Sequence, residues 1–168
     1  MSEIEYTAKS RKAFIIKISG TEDKMLKENE IMIGWSKVSG LLKEGLTKKD
    51  FRELIQKQYF PKETSKRRSG QIAGDMWRFI REIAIGNFVL IPAEKGFFIG
   101  RVSSLASYNE MKIFNDTAYR RKVEWLNNKN PIPLEKTPPE LQKRLKTIQS
   151  VIDASDLYQE IEFTLRIA

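Results

Sequence analysis

Apolar residues occur in short blocks, and the spacing inside those blocks changes along the chain. Lys12-Ala13-Phe14-Ile15-Ile16-Lys17-Ile18 is short, β-branched and closed by Ser19-Gly20, which predicts a buried strand ending in a loop. The polar run from Thr21 to Glu30 reads as a loop or short helix, and Ile31-Met32-Ile33-Gly34-Trp35-Ser36 as a second short strand. Thr47 followed by Asp50 then resembles a helix start, and Phe51, Leu54, Ile55 and Gln58-Tyr59 keep a helical period until Pro61 stops it. Pro61 to Gly74 is polar and basic and is expected to be an exposed connection. Gly74 to Ile85 predicts a second helix with Trp77, Ile80 and Ala84 on one face.

Gly86-Asn87 opens a hairpin: Phe88-Val89-Leu90-Ile91-Pro92, a turn at Ala93-Glu94-Lys95-Gly96, then Phe97-Phe98-Ile99-Gly100-Arg101-Val102. Arg120 to Leu126 predicts another strand, prolines at 131, 133, 138 and 139 mark a loop, and Pro139 to Ile148 predicts a helix. Leu157 to Ile167 alternates as a last strand would. About five to six strands flanked by three or four helices make an α+β class, with a curved or closed antiparallel-rich sheet rather than a doubly wound one. No linker divides the chain, so residues 1–168 are expected to form one domain with a core over about 12–167.

Composition narrows the chemistry. A chain that is 40% hydrophobic and 31% charged is globular in type, and no apolar run approaches the roughly 20 residues that span a bilayer. The N-terminal residues lack the basic start and apolar stretch of a secretory signal, which implies a cytoplasmic location and no membrane partner. With no cysteine and no histidine, disulfides, thiolate metal sites, the commonest zinc ligand and the commonest general base are all excluded. Most familiar enzyme classes fall away, and a non-enzyme without cofactor is expected. Neither a Gly-x-x-x-x-Gly-Lys-Ser/Thr loop nor a Gly-x-Gly-x-x-Gly fingerprint occurs. Glu22-Asp23-Lys24 and Glu110-Met111-Lys112 have the acid-x-lysine form of metal-dependent nucleases, a pattern that arises easily in a Lys- and Glu-rich chain.

Thirty Lys and Arg against 22 Asp and Glu give a net charge of +8, which favours a polyanion through long-range attraction and counterion release, although such a surplus also serves solubility alone. Aromatic residues stand at strand ends and turns: Trp35 beside Gly34, Trp77, Tyr108 and Trp125. Such rings stack a nucleobase for about 1 to 3 kcal/mol each. Trp77 and Trp125 sit in apolar patterns and read as core, whereas Trp35 lies where a strand opens into a loop, before a serine that offers a hydroxyl and an amide. Lys66-Arg67-Arg68 and Arg120-Arg121-Lys122 are the candidate phosphate contacts.

The order of these elements resembles the PUA-like superfamily that includes the EVE and YTH domains, small barrels that take a modified base into a cage. The match runs from Phe14–Ile18 through Gly34-Trp35-Ser36 and the hairpin ending Gly100-Arg101-Val102 to Val123-Glu124-Trp125-Leu126, over roughly residues 12 to 130. The stretches Met76 to Ile80, Gly86 to Pro92 and Arg120 to Trp125 are similar to N-terminal reader modules of Mrr-like and McrB-like modification-dependent restriction proteins. The resemblance implies that Trp35 is a cage wall, Ser36 a backbone or hydroxyl contact, and Ser19 with Gly20 the opposite lip. Tyr108 is the implied second wall, with Phe114 as runner-up. Glu124 replaces the family's aspartate, and Leu105 to Ala118 does not follow the YTH loop. The implied function is a DNA-binding reader of a flipped, methylated base that targets a nuclease or motor effector. A protein-interaction or regulatory domain, an RNA-modification reader and a nuclease using Glu110 and Lys112 are the alternatives.

Overall fold

The computed structural model describes residues 11–168. Residues 1–10, on which the expectation of no secretory signal rests, lie outside them. The first buried block forms β1 (Ala13–Ile16), followed by α1 (Glu22–Glu28) and β2 (Glu30–Ile33). Then come α2 (Lys48–Tyr59) and α3 (Arg67–Trp77), which runs on into a π-helical turn over Arg78–Glu82. The hairpin is β3 (Phe88–Ala93) and β4 (Gly96–Val102), after which β5 (Ser107–Tyr108), β6 (Tyr119–Trp125), β7 (Ile132–Pro133), α4 (Pro139–Leu145), β8 (Val151–Asp153) and α5 (Tyr158–Ile167) complete the described chain.

The main strands lie in the order β2-β6-β4-β3-β1-β8 and curl into a half-barrel, with β5 added to β6 and β7 to β4. Every pairing is antiparallel except that of β1 with β3, which run parallel with Phe14 opposite Val89. The fold is therefore α+β with an antiparallel-rich curved sheet. In β1 and β3 apolar residues are continuous because both sheet faces are covered. Phe14, Ile16, Val89 and Ile91 join the core under α2 and α3, whereas Ala13, Ile15, Phe88 and Leu90 join the one under α4 and α5.

The Thr47–Asp50 start of α2 is a complete capping box: Asp50 donates its amide to Thr47 Oγ1 at 3.2 Å, and Thr47 donates its own to Asp50 Oδ2 at 2.7 Å. These bonds hold the Asp50 carboxyl below the usual carboxylate range. The second helix starts at Arg67, seven residues before Gly74, so the basic segment is helical and not an open connection. Its buried positions include Ser69, Ala73 and Gly74, small residues that leave little apolar signal in sequence. The C-terminal segment is the helix α5, not a strand. Leu157, Ile161 and Thr164 are buried at spacings of four and three, and that helical stripe overrides the apparent alternation.

Candidate functional site

Strand β2 ends at Ile33, and the chain turns sharply at Gly34-Trp35-Ser36. Trp35 has φ 61°, a left-handed conformation that costs a bulky residue about 1–2 kcal/mol. Ser36 is locked in place to hold it. Its amide donates to Asp116 Oδ1 at 2.9 Å, its hydroxyl accepts the Ala118 amide at 2.9 Å, and its carbonyl accepts the Tyr108 hydroxyl at 2.7 Å. A Cβ on Gly34 would fall 2.7 Å from Asp116 Oδ2, so glycine is what lets that carboxylate reach the turn. Tyr119 donates its hydroxyl to the Val38 carbonyl and accepts the Leu41 amide at 3.3 Å, fixing the chain beyond. Strain of this kind persists only where surrounding contacts over-determine it.

The result is a half-buried indole held edge-on to Tyr59, with centroids 5.0 Å apart and planes at 89°, and tilted against Phe60 at 6.5 Å. The ring borders a cleft of about 510 Å³ whose other walls come from the start of α2, from α3, from the start of the π turn and from the loop before β8, among them Lys48, Asp75, Arg78, Ile148 and Gln149. Arg78 lies over Gly74, where an added Cβ would sit 3.4 Å from Nη2. It is pinned by donating Nε–H to the Val151 carbonyl at 2.8 Å and Nη2–H to Asp75 Oδ1 at 3.0 Å. The same oxygen accepts the Val151 amide at 3.2 Å. Burial raises the Asp75 pKa, and the bonds from Arg78 and Val151 offset only part of that rise. Asp75 Oδ2 and Arg78 Nη1 make no hydrogen bond among the described residues, which leaves one acceptor and one donor on two residues that line the cleft.

Of the residues expected from sequence, Trp35 lies in this cleft and its partners do not. Ser36 is fully buried with its amide, hydroxyl and carbonyl all engaged by protein, so it scaffolds the turn rather than meeting a ligand. Ser19 and Gly20 are exposed and line none of the cleft, although Lys17, just before them, donates its amide to Ser150 at the lip at 2.8 Å. Tyr108 packs on Tyr119 at 4.8 Å and borders a separate depression with Lys37, Gln58 and Met111, so it is not a wall opposite Trp35.

Lys66, Arg67 and Arg68 are exposed at the start of α3. Arg68 pairs with Glu63 at 2.9 Å and sits 4.3 Å over the Phe60 ring, which places the cluster beside the aromatic group around Trp35. The second basic triplet is a correction, because β6 is covered on both faces over Tyr119–Arg121. Arg120 is buried, ion-paired with Glu28 and bonded to the Thr117 carbonyl at 2.8 Å. Arg121 is 1% exposed and, among the described residues, bonded only to main-chain carbonyls, so of this triplet only Lys122 faces solvent.

Trp77 packs edge-on to Phe51 at 5.2 Å, and Trp125 lies over Gly100, both structural as their patterns implied. Glu110 and Lys112 lie on a short 3₁₀ turn, and no cluster of three acidic side chains able to hold a metal occurs among the described residues. Asp75, Arg78, Ile148 and Gln149 escaped the sequence reading. Only Asp75 and Arg78 left a trace, an acid and a base three apart within a helix whose buried residues are small or apolar.

The model of a family described as a domain of unknown function, DUF8426, matches residues 14–151. No curated protein matches the chain.

Proposed function

The chain belongs to the DUF8426 family, and from its own surface we propose that it is a PUA-like nucleic-acid reader that turns one base out of the stack and holds it against Trp35. The observation that carries this reading is the strained Trp35 turn, in which an indole is held at the edge of an open cleft at a cost in backbone energy. The half-barrel order with its parallel β1–β3 pair supports the PUA-like assignment. In the cleft the base stacks on Trp35, while Asp75 Oδ2 accepts from its edge and Arg78 Nη1 donates to it. Lys66, Arg67 and Arg68 hold the neighbouring phosphates.

A methyl group on the base adds apolar contact with the indole and removes a hydrated N–H, so the reading extends to a modified base, with DNA as the polymer. The domain then acts without cofactor as the targeting module of a modification-dependent restriction system, and the nuclease or motor lies in a separate domain or subunit.

The test is a binding panel of matched DNA and RNA oligonucleotides with and without base methylation. Trp35→Ala is expected to lose about 10- to 100-fold on the methylated DNA and to abolish the preference over plain DNA. Changing Arg67 and Arg68 together to Ala is expected to weaken both equally and lower the salt slope by about 2. Equal losses on both oligonucleotides from Trp35→Ala refute the modification-selective cage, and absence of salt-dependent binding to any of them refutes the reader.

A further inference from the structure

Between β5 and β6 the chain makes a finger whose tip carries Met111, 84% exposed, and Phe114, 96% exposed. Single exposed apolar residues are common, but these two share one tip, and the loop that carries them is not free to fold them away. Asn109 Oδ1 accepts the Met111 amide at 3.0 Å, and Asn109 donates its own amide to the Ala118 carbonyl at 2.8 Å. Asp116 donates to Ile113 at 2.9 Å and Thr117 to Lys112 at 3.0 Å. The root of the finger is the Trp35 turn itself, because Asp116, which bonds Ser36, lies only two residues from Phe114, at most about 7 Å along the chain.

We propose that this finger is a stacking wedge: Phe114, with Met111 beside it, enters a duplex and fills the place left by the base that Trp35 receives. The proposal rests on the reader function above. An aromatic ring matches the shape of a missing base, and apolar side chains used in this way unstack and kink duplexes. The finger itself carries Glu110 and Asp116 against Lys112, so the attraction to a polyanion comes from the rest of the surface: Lys37 borders the depression beside Met111, and the chain carries +8 overall. Insertion is needed only where neighbouring bases are stacked, so the finger serves duplex and not single-stranded substrate.

Phe114→Ala is made in the full chain, and its binding is measured on a methylated duplex and on the corresponding single strand. The duplex carries 2-aminopurine next to the target base. The variant is expected to lose about tenfold on the duplex together with the 2-aminopurine rise, to stay within about twofold on the single strand, and to be partly rescued by Phe114→Leu. Wild-type affinity of the variant on the duplex overturns the wedge and leaves the reader standing. Equal loss on both substrates also overturns it, as does a change confined to self-association in sedimentation, which assigns the tip to a protein contact. Failure of the wild-type chain to bind either substrate removes the reader and the wedge together.

Discussion

Replacing Arg121 by Met is expected to cost about 3 kcal/mol and to lower the melting temperature by about 10 °C. Arg121 is 1% exposed and has no carboxylate partner among the described residues. Its guanidinium instead donates to the carbonyls of Phe79 at 3.1 Å and of Ile83, which close the π turn, and through Nε and Nη2 to the carbonyl of Ser104 at 3.2 and 2.9 Å. Burial pushes its pKa down to about 10, so it is still charged at neutral pH. That pKa lies below the unfolded value. The charge-burial cost is thus constant below the folded pKa and shrinks only above it, and stability carried by this residue should be flat from about pH 5 to 9.

Methionine removes a buried charge, which is a gain, but it leaves three carbonyls without a donor at about 1–3 kcal/mol each, and the loss is larger. Lysine separates charge from geometry. A single ammonium cannot span the π turn and the Ser104 loop at once, so Arg121→Lys is expected to be no more stable than Arg121→Met. Chemical denaturation gives the order directly. A lysine variant close to wild type would show that charge, not the fork of donors, is what this position supplies.

The same residue shows why part of the site was illegible in sequence. Arg120-Arg121-Lys122 reads as a solvated basic run, and no local pattern indicates that the first two lie on the part of β6 that is covered on both faces. Where one segment determines its own structure, sequence pattern and fold agree. Thr47 and Asp50 close their capping box within three residues, and the hairpin pairs Phe88 with Arg101 and Ala93 with Gly96 as the expected turn requires. The helical start at Arg67 and the helix α5 were missed because their buried stripes run through Ser69, Gly74 and Thr164.

For the site, the turn at Gly34-Trp35-Ser36 was visible as a glycine before an aromatic at a strand end. Its surroundings were not. Asp116 reaches it from 80 positions away, and the cleft wall is assembled from α3 and from Ile148-Gln149. Local sequence shows that Trp35 is placed unusually, but only the tertiary fold shows what faces it. Tyr108 was near in space and wrong in direction, because its hydroxyl is drawn to the Ser36 carbonyl.

Gly100→Ala is expected to cost about 3 kcal/mol, through close approach rather than through backbone conformation. Gly100 pairs with Trp125 where β4 meets β6, and a Cβ there would lie 2.3 Å from Val123 Cγ1, 3.0 Å from Trp125 Cε3 and 3.1 Å from the Glu124 carbonyl. The carbonyl belongs to the sheet and cannot retreat. The valine methyl is the worst of the three contacts and is also the removable one. Val123→Ala alone is expected to cost about 2 kcal/mol for the methyls it loses from a buried position. If the two effects were independent, the double variant would lose about 5 kcal/mol, but the new methyl at 100 occupies space vacated at 123, and a total near 3 kcal/mol is expected. Trp125 can yield the remaining few tenths of an ångström, since its indole N–H has no hydrogen-bond partner among the described residues to give up. A double-mutant cycle by denaturant unfolding measures the coupling. Strict additivity would mean that β4 and β6 move apart as a whole, and that the glycine sets strand spacing rather than room for one side chain.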